Sequence, residues 1–228
     1  MSTLRTARDR ARSEVTWQIL DTARAHLADH GAAGLSLRAV ARDLGLVSSA
    51  VYRYVASRDA LLTLLIVDAY DSLGDAVDRA VDAAGSPRAK WLAAALGIRS
   101  WAVAHHHEYL LLYGTPVPGY AAPADTVIPG TRTPLALVGI VRDAAAAGAA
   151  GPFPPVPSPH VGDELSVLAG QVAPELPVPG LYATLLAWTQ LFGLLSFELT
   201  SQTRGMVEDH AALFEAVAAT TADRLGLA

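Results

Sequence analysis

The 228-residue chain contains no cysteine. That excludes a disulfide framework, a thiolate zinc site and a cysteine nucleophile. It also lacks an uninterrupted apolar run of about 18 residues, the length a membrane-crossing helix needs. Residues 181–199 come closest, but Thr184, Gln190 and Glu198 interrupt them, so a buried helix is expected there. No cleavable apolar leader opens the chain, and the expected compartment is the cytoplasm. The signatures of catalysis are missing as well. There is no glycine-rich phosphate loop, no G-x-S-x-G turn, no H-E-x-x-H and no nucleophile–base pair, and Glu108 and Glu198 read as isolated. The run His105, His106, His107 does not supply a metal site, because successive helical side chains diverge by about 100°. The expectation is a protein that is not an enzyme and carries no cofactor and no metal.

What is present is helix-forming. Hydrophobic residues make up 52% of the chain, and alanine is abundant. The formal charge of −5 is unevenly spread. Residues 1–58 hold nine arginines against five acids, whereas residues 59–228 hold eight bases against seventeen acids. A basic head on an acidic body places any contact with a polyanion in the head.

The stretch that organises the chain is residues 36–58, SLRAVARDLGLVSSAVYRYVASR. Leu37, Val40, Ala41 and Leu44 recur at helical spacing and give one apolar face. Gly45 supplies the left-handed residue that ends such a helix. Ser48 is expected to cap a second short helix, with Val51 and Val55 turned inward. Ser49, Ala50 and Arg53 then fall on the opposite side, flanked by Tyr52 and Tyr54. The pattern is a helix-turn-helix whose outer helix fits a DNA major groove. The same spacing is open to an ordinary helical hairpin with a wet polar face. Against that stands the face itself, where small residues allow close backbone approach and two tyrosines offer hydroxyls to phosphates.

The residues 34–41, 44–48, 51–55 and 57–62 resemble the DNA-binding domain of the TetR-like (tetracycline-repressor) family of transcriptional regulators. The likeness runs without a gap over about sixty residues. It departs at Arg58, where the family usually carries lysine and where a phosphate clamp survives the change. Ser48, Ser49 and Ala50 at the tip of the reading helix leave the operator sequence open. The resemblance also favours DNA contact for Arg38, which could hold guanine or phosphate. With Ser36 at a helix start, the expected DNA-contacting set is Ser36, Arg38, Ser48, Ser49, Ala50, Tyr52, Arg53, Tyr54 and Arg58.

Around this motif, residues 1–12 with Arg5, Arg8, Arg10 and Arg12 form either a basic arm against the duplex or a frayed terminus. A bracing helix is expected over 13–30, with Ile19, Leu20, Ala23 and Leu27 inside and Gly31 as its stop. A longer helix over 59–81 follows, with Asp71, Asp75, Asp78 and Asp82 as a solvent stripe. Helices are also expected over 88–107, 108–114, 135–147, 163–172, 181–200 and 206–225. A Pro/Gly-rich loop is expected to reach Pro134, and residues 148–162, with five prolines between 152 and 159, are expected to be exposed and mobile. The last two long helices carry an almost wholly apolar surface and a run of small residues, which predicts a homodimer built on a four-helix interface.

Residues 109–120 and 188–199 resemble the WHG type of C-terminal domain of TetR-like regulators, with Phe192 standing where that pattern has histidine. The expected fold is all-α: an N-terminal three-helix helix-turn-helix DNA-binding domain with its basic arm (1–58), then a helical effector-binding and dimerisation domain (59–228). The expected function is a dimeric repressor released from operator DNA by a small apolar or aromatic effector. The lining proposed from sequence is Trp101, His105, Tyr109, Tyr113, Trp188 and Phe192, aromatic, weakly polar and uncharged. A DNA-binding regulator or architectural protein without an effector is the alternative.

Overall fold

A computed structural model describes the backbone of residues 2–228 and the side chains of Arg10 and of residues 12–228. The chain is all-α, with ten α-helices, two short 3-10 turns and no strand among the described residues. In order, the helices are α1 (Ser2–His30), α2 (Leu37–Asp43), α3 (Ser48–Val51), α4 (Arg58–Asp82), α5 (Pro87–Ala104), α6 (His106–Tyr113), α7 (Val127–Ala146), α8 (Pro159–Val172), α9 (Val178–Leu199) and α10 (His210–Arg224). They pack into two compact units that do not follow sequence order. The first comprises residues 1–71 and 105–130, the second residues 72–104 and 131–228.

In the first unit the expected bracing stripe is in place: Ile19, Leu20, Ala23 and Leu27 of α1 are all buried. Ile19, Leu20 and Ala23 share one core with Leu37, Val40, Ala41, Val51 and Val55, and with Leu61, Leu62 and Leu65 of α4. Leu111, Val117 and Tyr120 close that core from the returning segment. A charged knot ties the same helices together. Arg24 of α1 donates through Nε to Glu108 of α6 at 3.2 Å and through a terminal nitrogen to Asp68 of α4. Burial lowers the guanidinium pKa, but the Asp68 hydrogen bond and the Asp68, Glu108 and Asp21 charges outweigh it, so the net shift is upward. Glu108 is therefore paired rather than isolated.

The basic segment 1–12 is not a separate arm; its backbone continues α1 from Ser2. The side chains of Arg5 and Arg8 lie outside the described residues, while Arg10 and Arg12 are exposed. Helix α4 starts on a cap in which Ser57 Oγ accepts from the Ala60 N–H at 3.0 Å. Its inner side (Leu61, Leu65, Ala69, Leu73, Val77) is fully buried, as its periodicity predicts. The histidine run divides differently from expectation. His105 leaves the helical region with φ −120° and ψ 47°, so α5 stops at Ala104 and α6 starts at His106.

In the second unit α5 packs along α10. The Trp91 indole donates to Thr221 Oγ1 at 2.9 Å inside that contact. Arg99 forks onto both carboxylate oxygens of Glu198 on α9, so Glu198 too is paired. The aspartate stripe is not simply solvated, because Arg132 of α7 holds Asp75 and Asp78 together. Helix α7 begins eight residues before the sequence reading places it. Pro129 sits in its first turn, where the missing N–H has no intrahelical partner to lose, and the helix runs on through Pro134. Helix α8 begins at Pro159, earlier than expected, on a Ser158 cap that accepts from Val161 N–H.

The proline-rich stretch 148–158 is seated rather than loose. Gly151 N–H donates to Leu225 O at 2.8 Å, and Ala228 N–H donates to Ala149 O at 3.2 Å. Phe153 packs on Gly180, where a larger residue would collide with its ring. Gly226, at φ +62°, turns the chain after α10 so tightly that its α-carbon faces the Gly151 backbone.

Candidate nucleic-acid interface

The turn between α2 and α3 is built as its sequence requires. Gly45 adopts φ +67°, and the Leu46 N–H reaches back to Ala41 O at 2.8 Å while the Gly45 N–H bonds Arg42 O. This is a glycine-terminated helix end that satisfies two otherwise orphaned carbonyls. The capping differs from expectation at both starts. Ser36 occupies the cap position of α2 with extended backbone, but its side chain makes no cap hydrogen bond. At α3 the cap position is Val47, and Ser48 is the first helical residue. An extended valine backbone serves there because Leu46 and Val47 must first carry the chain round the turn. The four-residue α3 then tightens: Tyr52 and Val55 N–H groups bond to Ser48 and Val51 carbonyls, whereas Arg53 and Tyr54 close three-residue turns.

Val51 at the end of α3 and Val55 beyond it lie in the core, at 0% and 1% exposure, so the segment formed by α3 and the turn after it has a fixed inner side. Its outer side is Ser49, Tyr52 and Arg53, all exposed, with Ser48, Ala50 and Tyr54 half-buried at the flanks. Arg38 is exposed on α2 and Ser36 half-buried before it. The arginines separate by what they hold. Arg38 and Arg53 have no ion-pair or hydrogen-bond partner among the described residues, leaving their full fork of donors to solvent. Arg42 leans on Asp43. Arg58 is engaged within the head: it donates to Leu35 O at 3.2 Å, Ala32 O at 2.8 Å and Ala33 O at 3.3 Å, and lies 3.6 Å from Asp59. Its guanidinium braces the turn before α2. Arg12 stands 5.9 Å from the centre of the Tyr54 ring, so this tyrosine is held from the first helix.

One feature of the scaffold escaped the sequence reading. His26 of α1, nearly buried, meets Asp43 at the end of α2 with Nε2 and Oδ2 2.6 Å apart. That hydrogen bond, helped by Arg42 against the effect of desolvation, holds the Asp43 carboxyl below its ordinary range. The spacing of a histidine and an aspartate on different helices leaves no local sequence signal.

The six residues expected to line an effector site are distributed as follows. Trp101 is buried and its indole donates to Ser72 Oγ at 2.9 Å. His105 sits at the break before α6. Tyr109 is buried against Tyr113, and burial with two neighbouring tyrosines pushes the Tyr113 hydroxyl pKa well up. Trp188 and Phe192 meet edge to face at 5.7 Å on α9. Of the six, only Trp188 lines an apolar cavity of about 200 Å³ in the second unit, between α7, α8 and α9. Its walls come from residues 131, 134, 135 and 138, from 165, 168 and 172, and from 181, 184, 185 and 188. Each set repeats at i, i+3 or i+4 and i+7, so each helix turns one stripe inward. That repeat is the sequence signal for the site, carried by aliphatic rather than aromatic residues.

Residues 19–65 match the family profile described as bacterial regulatory proteins, tetR family, and residues 91–221 match that of a tetracyclin repressor-like C-terminal domain. An HTH-type transcriptional regulator of Mycobacterium tuberculosis (strain ATCC 25618 / H37Rv) is 43% identical over 213 residues, covering 90% of each chain. The crystal structure of a protein described as regulatory, SCO4313, is 35% identical with a TM-score of 0.77, covering 93% of this chain and 97% of that one. AibR, crystallised with isovaleryl coenzyme A and operator DNA, shares the fold at 14% identity and a TM-score of 0.56, covering 92% and 97%.

Proposed function

The chain belongs to the tetR family of bacterial regulatory proteins and is a DNA-binding transcriptional regulator; from that premise we propose that it is a dimeric, effector-released repressor acting in the cytoplasm. The observation that carries the DNA-facing part is the pair Arg38 and Arg53, exposed and without a partner among the described residues, on either side of a short helix whose inner side is locked. Ser36, Ser48, Ser49, Ala50, Tyr52 and Tyr54 complete the surface offered to a major groove. Arg58 is assigned the supporting part, since its donors already point at backbone carbonyls. The DNA-reading elements end at residue 58, inside a first compact unit that also takes in residues 59–71 and 105–130, and the second unit takes effector and partner.

Dimerisation through α9 and α10 is supported by an open stripe on α9. Leu186, Gly193 and Phe197 repeat along one side, and Leu186 and Phe197 are 48% and 57% exposed. On α10 the exposed Ala211, Ala212 and Ala216 allow close approach of a second copy. Two heads so joined would read half-sites roughly 34–36 Å apart or a multiple of that spacing. Effector control is supported by the apolar cavity in the second unit and by the AibR complex, in which one protein of this fold holds a small molecule and operator DNA. Linkage requires that DNA weaken effector binding by the same factor.

The test is binding-site selection from genomic DNA with purified protein, followed by affinity measurements on the selected site. Arg38→Ala and Tyr52→Phe weaken binding with dimerisation unchanged; wild-type affinity in both variants would overturn the interface. Arg53→Ala relaxes sequence choice if the residue reads a base, and lowers the salt slope by about 1 if it holds a phosphate.

A further inference from the structure

The cavity between α7, α8 and α9 contains a polar anomaly. The indole Nε1 of Trp188 is buried and has no hydrogen-bond partner among the described residues. Buried tryptophan N–H groups ordinarily find an acceptor, and an unsatisfied one marks a strain reservoir, a missing water or a missing ligand. Trp188 contributes to the cavity wall, and the rest of that wall is almost purely hydrocarbon. No lysine, arginine, histidine or carboxylate lines it. The nearest cation in sequence, Arg132, is held by Asp75 and Asp78. Of the two wall threonines, Thr184 donates to Gly180 O and Thr131 also has a partner, so the indole is the polar group left to recruit one.

Resting on the effector reading above, the geometry points to a ligand class for this site: a small, uncharged molecule with an apolar body and one hydrogen-bond acceptor, taken up by a modest movement of the Trp188 indole. The size follows from the volume. About 200 Å³ slightly exceeds the roughly 150 Å³ cavity known to take benzene, which matches a single aromatic ring with a short substituent or an aliphatic chain of similar bulk. The sign of charge follows from the wall. A carboxylate or a phosphate-bearing coenzyme would have to leave water for a surface that offers it no cation, a cost that ordinarily drives the group to stay outside. The acceptor follows from the indole, which can give a hydrogen bond and cannot take one. An aryl ketone or a small ester fits all three requirements.

Three probes of similar size test this on the unmodified full-length protein: acetophenone, ethylbenzene and benzoate. Binding is measured by calorimetry, and the tryptophan indole N–H signals by ¹H–¹⁵N correlation spectroscopy, with Trp188→Phe identifying its resonance. Acetophenone is expected to bind about tenfold more tightly than ethylbenzene, the worth of one neutral hydrogen bond, and to shift the Trp188 signal. Benzoate is expected to bind more weakly than either. Trp188→Phe keeps an aromatic ring and is expected to remove the preference for acetophenone over ethylbenzene. Equal affinities for the first two probes in the wild-type protein, tighter binding of benzoate, or acetophenone binding with no movement of the Trp188 signal would each overturn the assignment, even if the variant failed to fold. Operator release is scored separately. Acetophenone held at Trp188 without release leaves the ligand class standing and refutes effector control from this cavity. Release by another compound that leaves the Trp188 signal unmoved, with no acetophenone bound, refutes the ligand class and leaves the regulator reading intact.

Discussion

Replacing Arg24 with leucine should cost the protein about 2–3 kcal/mol, most of it through a residue that is not mutated. Arg24 meets three carboxylates, but they differ in their access to water. Asp21 and Asp68 have side chains 62% and 42% exposed and would return to solvent when the guanidinium is lost. Glu108, at 12%, would not. Stranding a buried charge costs about 3–5 kcal/mol where burial is complete, and the 25% exposure of Arg24 places this pair at or below the lower end. With a urea dependence near 3 kcal/mol per molar, the unfolding midpoint should fall by about 1 M, measured at fixed protomer concentration. The decisive comparison is Arg24→Leu with Glu108→Leu in one chain. Removing both charges leaves no buried ion behind, only the solvent-accessible Asp21 and Asp68, so the double variant should recover most of the loss. A single variant within about 0.5 kcal/mol of wild type, or a double variant no more stable than the single one, would refute the account of the knot.

Two further outcomes follow from particular contacts. Asp43 has its carboxyl pKa lowered by His26 in the folded state, so its contribution is present above the ordinary carboxylate value near 4 and is lost as pH falls through the depressed one. Asp43→Asn should therefore flatten the acid limb of a stability profile taken between about pH 6 and 2, and an unchanged limb would show the pair to be idle. Gly226→Ala should cost about 2–4 kcal/mol, since φ +62° disfavours a side chain and a Cβ there would run into the Gly151 backbone. Gly205→Ala, at φ +78° but in open space, should cost only about 1 kcal/mol in the same urea titration; equal losses would mean that the seated loop yields freely.

The sequence was most legible where one residue type has one physical meaning. Gly45 had to be left-handed, and Val51 and Val55 had to face the core if the motif formed at all. Both hold, and the long inner side of α4 follows its periodicity without exception. Prolines were the weak point. By composition Pro129 and Pro134 read as helix breakers, yet both lie within α7, because a proline in a first turn loses no intrahelical hydrogen bond and the helix continues past the second one. Long-range pairs were invisible by nature: nothing near Glu108 or Glu198 announces Arg24 or Arg99, 84 and 99 residues away. The loop at 148–158 looked loose because its composition is that of a linker, and what seats it is hydrogen bonding to residues beyond α10. In the cavity, Trp188 stands out by residue type, whereas the aliphatic stripes around it show only as a helical repeat.

The return of residues 105–130 to the first unit bears on how such a protein can be re-engineered. A gene fragment ending after α3, or even at residue 71, would encode the reading element without the pieces that close its core, Leu111, Val117 and Tyr120, and without Glu108, the buried one of the three carboxylates around Arg24. Chimaeras that transplant this head onto a foreign sensor would have to carry two separate stretches of coding sequence, or replace the second with a designed patch. Recombination between relatives is under the same constraint: a crossover anywhere between codons 71 and 105 swaps not one module but a module and part of its neighbour's foundation.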